Sequence, residues 1–137
     1  MSDREEFLAW FDTTWRAAED ALHGGDAAPR LETWSTREPV SLLGLWYEAF
    51  GADEARDVFR ALGGTFSDVA STRIELLVAD VRGDFAYTVH RELTSVGVDG
   101  TPREYALRVT QVYRREDGAW KVVHRHADRG TIAIDDM

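Results

Sequence analysis

The sequence predicts an α+β fold, in which N-terminal helices pack on a curved antiparallel sheet. Two observations carry that prediction. Apolar residues recur every three or four positions in the first half of the chain, and from Thr72 onward they alternate with polar ones; these are the helical and strand periods. The alternating half is divided by Gly83-Asp84, Asp99-Gly100-Thr101-Pro102 and Asp117-Gly118, where glycine beside aspartate supplies the positive φ angles of tight hairpins.

The first helix has both ends marked. Ser2 and Glu5 have the spacing of a capping box, Phe7, Leu8, Phe11, Trp15, Ala18 and Leu22 form one apolar stripe, and Gly24-Gly25 supplies a stop. Asp26 caps a second, short helix with Pro29 in its first turn, carrying Leu31 and Trp34. Residues 38–43 read as a short strand ending at Gly44, and the aromatic stretch from Leu45 to Phe50 fits no one element. Asp53 caps a further helix through Ala55, Val58, Phe59 and Leu62 toward Phe66. Gly63-Gly64 weakens it by about 1 kcal/mol per glycine.

Four strands follow, near residues 72–82, 85–97, 103–116 and 119–127. A two-residue loop at Asp117-Gly118 pairs Glu116 with Ala119, hence Tyr113 with Val122, Gln111 with His124 and Val109 with His126. Leu107, Val109, Tyr113, Trp120 and Val122 then share one face, with Arg108, Thr110, Arg114, Lys121 and Arg125 on the other. A two-residue loop at Gly83-Asp84 sets Ile74, Leu76 and Val78 beside Leu93, Arg91 and Val89. The hairpins agree on one apolar face when the middle loop has an odd length, and a half-buried sheet resists a one-residue slip. The face expected to line the interior is Val89, Arg91, Val109, Gln111, Tyr113, Val122, His124 and His126.

The 137 residues suit one domain over the whole chain. Hydrophobic residues make up 44% and charged residues 30%, a globular rather than a disordered balance. A net charge of −9 opposes nucleic-acid binding, which relies on basic patches. With no cysteine, disulfides, thiolate metal sites and a cysteine nucleophile are excluded. The polar, acidic start from Met1 to Glu6 is unlike a signal peptide, and no apolar run approaches the roughly 20 residues of a membrane span. The expectation is a cytoplasmic protein without nucleic-acid or membrane partners.

The stretch from Leu107 to Asp128, with Tyr113, Asp117-Gly118, Trp120, His124 and His126, closely resembles the end of SnoaL-like proteins of the nuclear transport factor 2-like superfamily. The preceding Gly83-to-Val89 stretch is similar to their middle hairpin. The resemblance implies a ketosteroid isomerase-like cone: a bent sheet wrapped over the long first helix, open at one end and frequently dimeric. That superfamily includes isomerases, polyketide cyclases, dehydratases and the association domain of calmodulin-dependent kinase II. The resemblance therefore implies a fold rather than one reaction.

Polar groups on the apolar face are the candidate site, because a buried polar group needs a partner. Arg91, flanked by Val89 and Leu93, reads as an anchor for an anionic ligand group or as half of an ion pair with Asp12 or Asp128. His124 and His126, two residues apart, project to the same side; His124 is a candidate acid–base with Gln111 orienting it and Tyr113 as donor. The alternative reading is a pair of histidines that satisfy backbone or carboxylate partners at the cone rim. His124, His126 and Asp128 also match the ligand types of a facial triad. They stand about 6.6–6.8 Å apart along a strand, so no metal is assigned, and no cofactor is expected. Trp15, Trp34, Trp46 and Tyr87 join Tyr113 as aromatic walls for a small apolar or cyclic molecule. No pocket carboxylate of the isomerase kind is placed, since Glu92 falls on the polar face.

Three readings follow. The cone binds a small molecule whose polar end meets Arg91, Gln111 and His124; or it is an isomerase, cyclase or dehydratase using His124 and Tyr113; or it is an assembly domain. The expected outer face, with Leu77, Ala79, Val81, Val112 and Val123, is apolar enough to suit a homodimer under all three.

Overall fold

A computed structural model describes residues 1–129. Helix α1 (Asp3–Trp10), a π-helical turn (Phe11–Trp15) and α2 (Arg16–His23) follow one another without a break in helical backbone. The capping box forms: the Ser2 hydroxyl accepts from the Glu5 N–H at 3.1 Å, and the Glu5 carboxylate accepts from the Ser2 N–H at 3.3 Å. Through the π turn Phe11 and Trp15 lie parallel, ring centroids 4.5 Å apart. Helix α3 (Ala28–Thr33) starts beside Asp26, whose carboxylate accepts from the Ala28 N–H at 3.0 Å.

The expected strand forms as β1 (Ser41–Leu43), and the aromatic stretch resolves into a turn closed by Gly44 N–H to the Tyr47 carbonyl at 2.8 Å, followed by β2 (Glu48–Phe50). Helix α4 (Ala52–Thr65) runs through both glycines. Gly63 is needed there because a Cβ would sit 2.9 Å from that of Ala27. Strands β3 (Phe66–Arg82), β4 (Phe85–Val98), β5 (Thr101–Glu116) and β6 (Ala119–Arg129) complete a six-stranded sheet in the order β2-β1-β6-β5-β4-β3. β1 runs parallel to β6 with Ser41 opposite His124, and the other strand pairs among the described residues are antiparallel.

Three features of register overturn the expected interior. First, Val98 pairs with Thr101, so the middle loop is the two residues Asp99-Gly100 and its length is even. Their φ angles of 51° and 82° match the 51° and 81° of Asp117-Gly118, the type I′ pattern. This inverts β4: Ala86, Thr88, His90, Glu92, Thr94 and Val96 are buried, whereas Arg91 and Tyr87 are exposed and Val89 lies with them on the outer side.

Second, β3 bulges at Leu77, so that Val78 pairs with Val89 but Leu76 with His90. Ile74 and Leu76 therefore pack on the core together with Ala79 and Val81, which were expected outside, and Val78 turns outward. Third, β6 bulges at Val123: Tyr113 pairs with Val122, yet Val112 pairs with His124 and Gln111 with Arg125. A bulge adds one residue and reverses the facing of all that follow relative to an unbroken ladder. His124 and His126 thus move to the outer face, Arg125 moves in, and Val123 is buried.

The core lies between the long N-terminal helix and the inner sheet face, gathering Phe7, Phe11, Trp15, Trp34, Phe59, Tyr113, Trp120 and Val122. Each such side chain, fully buried, contributes about 1.5–3 kcal/mol. Among the described residues no helix is long and apolar enough to cross a membrane.

Candidate functional site

Beyond the aromatic core, the inner sheet face carries a closed circuit of buried polar groups. Arg125 on β6 grips Glu92 on β4 with two nitrogens, both at 2.7 Å, and donates to the Gln111 amide oxygen at 2.9 Å. A guanidinium only donates, so the Gln111 oxygen faces it and the amide nitrogen donates to the Tyr113 hydroxyl. Tyr113 lies 2.7 Å from the Thr88 hydroxyl, Thr88 lies 3.4 Å from His90 Nδ1, and His90 Nε2 lies 2.9 Å from Glu92. The ring of bonds closes when Tyr113 donates to Thr88 and Thr88 to His90, which puts the imidazole proton on Nε2. Phe11 and Trp15 pack on this imidazole in T-shaped contacts, their ring centroids 5.7 and 5.1 Å from its own.

A second buried pair comes from the helices. Arg30 on α3 donates through Nη2 to both oxygens of Glu19 on α2, and its guanidinium lies 5.1 Å from the Phe59 ring centroid. Its Nε–H is buried without a partner among the described residues. Beside it, His23 Nδ1 is 2.8 Å from the Glu19 carbonyl and Nε2 is 2.9 Å from the Tyr105 hydroxyl. A carbonyl only accepts, so Nδ1 carries the proton and Tyr105 donates to Nε2.

Both ion pairs are reached from one cavity. It has a volume of about 60 Å³, with Arg30, His23, Glu92, Arg125 and Tyr105 among its lining, Leu42, Leu62, Leu107 and Ala127 as apolar walls, and the turn from Gly44 to Tyr47 at its edge. That is room for about two waters. On the other side of the turn an open groove of about 760 Å³ runs past Trp46, Tyr47, Val98, Arg103, Glu104, Tyr105 and Arg129.

The electrostatics follow from burial and pairing. Burial pushes the Glu92 carboxyl up, but the charge and hydrogen bonds of Arg125, with His90, outweigh it and hold it well below the usual carboxylate range. Burial opposes the Arg125 charge, and Glu92 more than restores it. Burial raises Tyr113 and Tyr105, with the Glu92 charge adding to both, so each phenol keeps its proton and donates. Burial lowers His23. The floor thus presents two neutralised ion pairs, a neutral imidazole and a phenol. It can hold and orient a polar group, while the engaged Glu92 is poorly placed to take a proton.

The structure brings together only part of the expected site. Gln111 and Tyr113 belong to the buried circuit, and Val109 packs with Leu107 and Ala127 behind the cavity. Trp46 stands at the mouth, half-exposed against Phe66 and Tyr105. Trp15 and Trp34 fill the core instead of walling a pocket, Trp34 against Phe59 at 4.7 Å. Tyr87, Val89 and Arg91 lie outside, Arg91 half-exposed and 3.8 Å from Glu75 rather than paired with Asp12 or Asp128. The even middle loop is the cause.

His124 is also outside, 2.7 Å from the Ser41 hydroxyl, its pKa lowered by burial and then by His126; His126 is exposed. Asp128 shares that outer face but is gripped by Arg108 at 2.8 and 2.9 Å. Among the described residues no three His, Asp or Glu side chains are grouped to hold a metal. Sequence reasoning missed Glu19, His23, Arg30, His90, Glu92, Tyr105 and Arg125. One signal was available for Glu19, which interrupts the apolar stripe between Ala18 and Leu22.

The model of the SnoaL-like domain family matches residues 6–128. No curated protein sequence matches the chain. A candidate dehydratase of the nuclear transport factor 2-like family from Streptomyces avermitilis superposes with a TM-score of 0.76 at 19% identity, covering 94% of this chain and 99% of that one. A ketosteroid isomerase-like protein from Erwinia carotovora atroseptica gives 0.73 at 17% identity, covering 91% and 97%. A nuclear transport factor 2-like protein from Rhodospirillum rubrum gives 0.71 at 21%, covering 90% and 98%. At these identities the superpositions speak for the fold, the α+β cone of the nuclear transport factor 2-like superfamily. With its family model matched over nearly its whole length, this chain belongs to the SnoaL-like domain family.

Proposed function

We propose that the chain binds a small, largely apolar molecule at the mouth of the cone, beside the turn from Gly44 to Tyr47. The observation that carries this reading is the convergence of two buried ion pairs, Glu19–Arg30 and Glu92–Arg125, on one apolar-walled cavity. A few placed polar groups in an apolar lining are what small-molecule sites consist of. Binding is favoured over turnover because both oxygens of Glu92 are already engaged, and His124, the expected acid–base, lies on the outer face.

A thermal-shift screen of neutral cyclic compounds tests this on wild type and Ala127→Val, which narrows the cavity. A ligand at 100 times its Kd adds about 2.7 kcal/mol, a Tm rise of roughly 10 °C for a domain this size. The rise should vanish in Ala127→Val, whose own stability falls by about 1–3 kcal/mol. Hits that stabilise both proteins equally would place the ligand elsewhere and defeat the reading.

The outer side of the β3–β4 hairpin exposes Leu77, Val78, Phe85 and Tyr87, large apolar side chains of the kind that mark an association surface. We place a second copy of the chain there. Light scattering at micromolar concentration should return twice the 15.5 kDa chain mass, and Val78→Lys with Tyr87→Lys should return one. A wild-type monomer removes the idea. The cysteine-free composition fits a reducing compartment such as the cytoplasm.

A further inference from the structure

We infer that the cavity reads the head of its ligand as one neutral acceptor oxygen, a carbonyl or an ether, and rejects a carboxylate. This rests on the binding site proposed above and specifies the chemistry that site accepts.

Charge balance comes first. The floor holds two guanidiniums, and each already faces a carboxylate: Arg30 faces Glu19 and Arg125 faces Glu92. A ligand carboxylate would arrive as a third anion with no cation to meet it. It would have to displace Glu19 or Glu92, stranding a buried charge, and buried charges are tolerated only when paired. His23 does not supply the missing cation. Its Nδ1 proton points to the Glu19 carbonyl, its Nε2 accepts from Tyr105, and burial disfavours a second proton.

Hydrogen bonding then selects an acceptor. Arg30 is 4% exposed, lines the cavity, and spends Nη2 on Glu19, yet its Nε–H has no partner among the described residues. A buried N–H left unpaired is costly, so sites of this kind favour a ligand that satisfies it. The side chains that close over this N–H must give way first, and a neutral oxygen then satisfies it without disturbing the charge balance. An apolar head leaves the N–H unpaired.

Size sets the rest of the molecule. The cavity of about 60 Å³ admits a head group of acetyl size and no ring. The groove of about 760 Å³ shares Leu45, Trp46, Tyr47 and Tyr105 with the cavity. A flat apolar body therefore lies against Trp46 and Tyr105, with its oxygen directed inward. Arg103 and Arg129 in the groove are offset by Asp99 and Glu104, so the body too is read as uncharged.

Acetophenone, benzoate and ethylbenzene carry one ring and differ at the head. The readout is the Arg30 Nε–H resonance in the nitrogen-15 NMR spectrum of the wild-type protein. It is assigned by its loss in Arg30→Lys, or by through-bond correlation to the Arg30 δ-protons where that variant does not fold. Acetophenone should move this resonance and bind about tenfold more tightly than either of the others, as one satisfied hydrogen bond implies. Benzoate or ethylbenzene binding in the cavity as well as acetophenone overturns the head-group assignment and leaves the cavity as a binding site. If none of the three moves any resonance from the cavity lining, the binding site fails with it.

Discussion

Replacing Glu92 by leucine should cost about 3–5 kcal/mol of folding stability, read as a large drop in the urea midpoint. The substitution leaves the Arg125 guanidinium buried with Gln111 as its remaining partner, and it removes the acceptor from His90 Nε2. Domains of this size are stable by only about 5–15 kcal/mol, so the variant should be partly unfolded under mild conditions. Adding Arg125→Met removes the stranded charge, and the double variant should recover at least half of the loss. Buried pairs exchanged whole for apolar residues are often neutral, and a double-mutant cycle isolates that coupling. A single variant costing under about 1 kcal/mol would mean that the pair is open to water and the floor of the cavity wrongly described.

The same pair sets an acid limit. The Glu92 carboxyl is depressed in the folded state by Arg125 and His90, which outweigh its burial. Its contribution is therefore full above the unfolded carboxylate pKa of about 4.3 and is lost as pH falls through the lower folded value. Wild type should lose stability steeply below about pH 4, and Glu92→Leu should lose less over the same range.

The helices were legible because their signals are local. The capping box at Ser2 and Glu5 and the stripe through Phe7, Phe11 and Trp15 depend on neighbours within a few positions. The inner face of β5 was legible for the same reason: Leu107, Val109 and Tyr113 alternate with charged or polar residues. The facing of β4 depends instead on the parity of a turn and on which strand it borders. Asp99-Gly100 is the same dipeptide as Asp117-Gly118 and takes the same turn. Treating it alike would have turned Glu92 inward and Arg91 outward. The bulges at Leu77 and Val123 carry no such mark, since leucine and valine are ordinary strand residues. What selects the Val123 bulge is non-local. An unbroken ladder would bury His124 opposite Gln111 and expose Arg125, leaving Glu92 inside without its cation. Pairing across strands 33 positions apart in sequence decides where one extra residue is absorbed.

Trp15 and Trp46 were grouped as walls of one pocket, and the structure separates them in a way that substitution should reproduce. Trp15→Ala should cost about 3–5 kcal/mol. The ring is 1% exposed, stacks on Phe11 at 4.5 Å and covers the His90 imidazole. Its loss opens a void larger than a benzene ring directly over the polar circuit, in an interior packed too closely to close it fully. Trp46→Ala should cost under about 1 kcal/mol, since its ring is 44% exposed at the mouth and surface truncations stay small. A further measurement separates a void from general disorder. A void shaped by a lost indole ring takes up a small aromatic of the same shape, so indole at millimolar concentration should raise the Tm of Trp15→Ala while leaving the wild type unmoved. Equal losses in the two variants would place Trp15 and Trp46 in one environment again, and the division between filled core and open mouth, on which the binding site depends, would not stand.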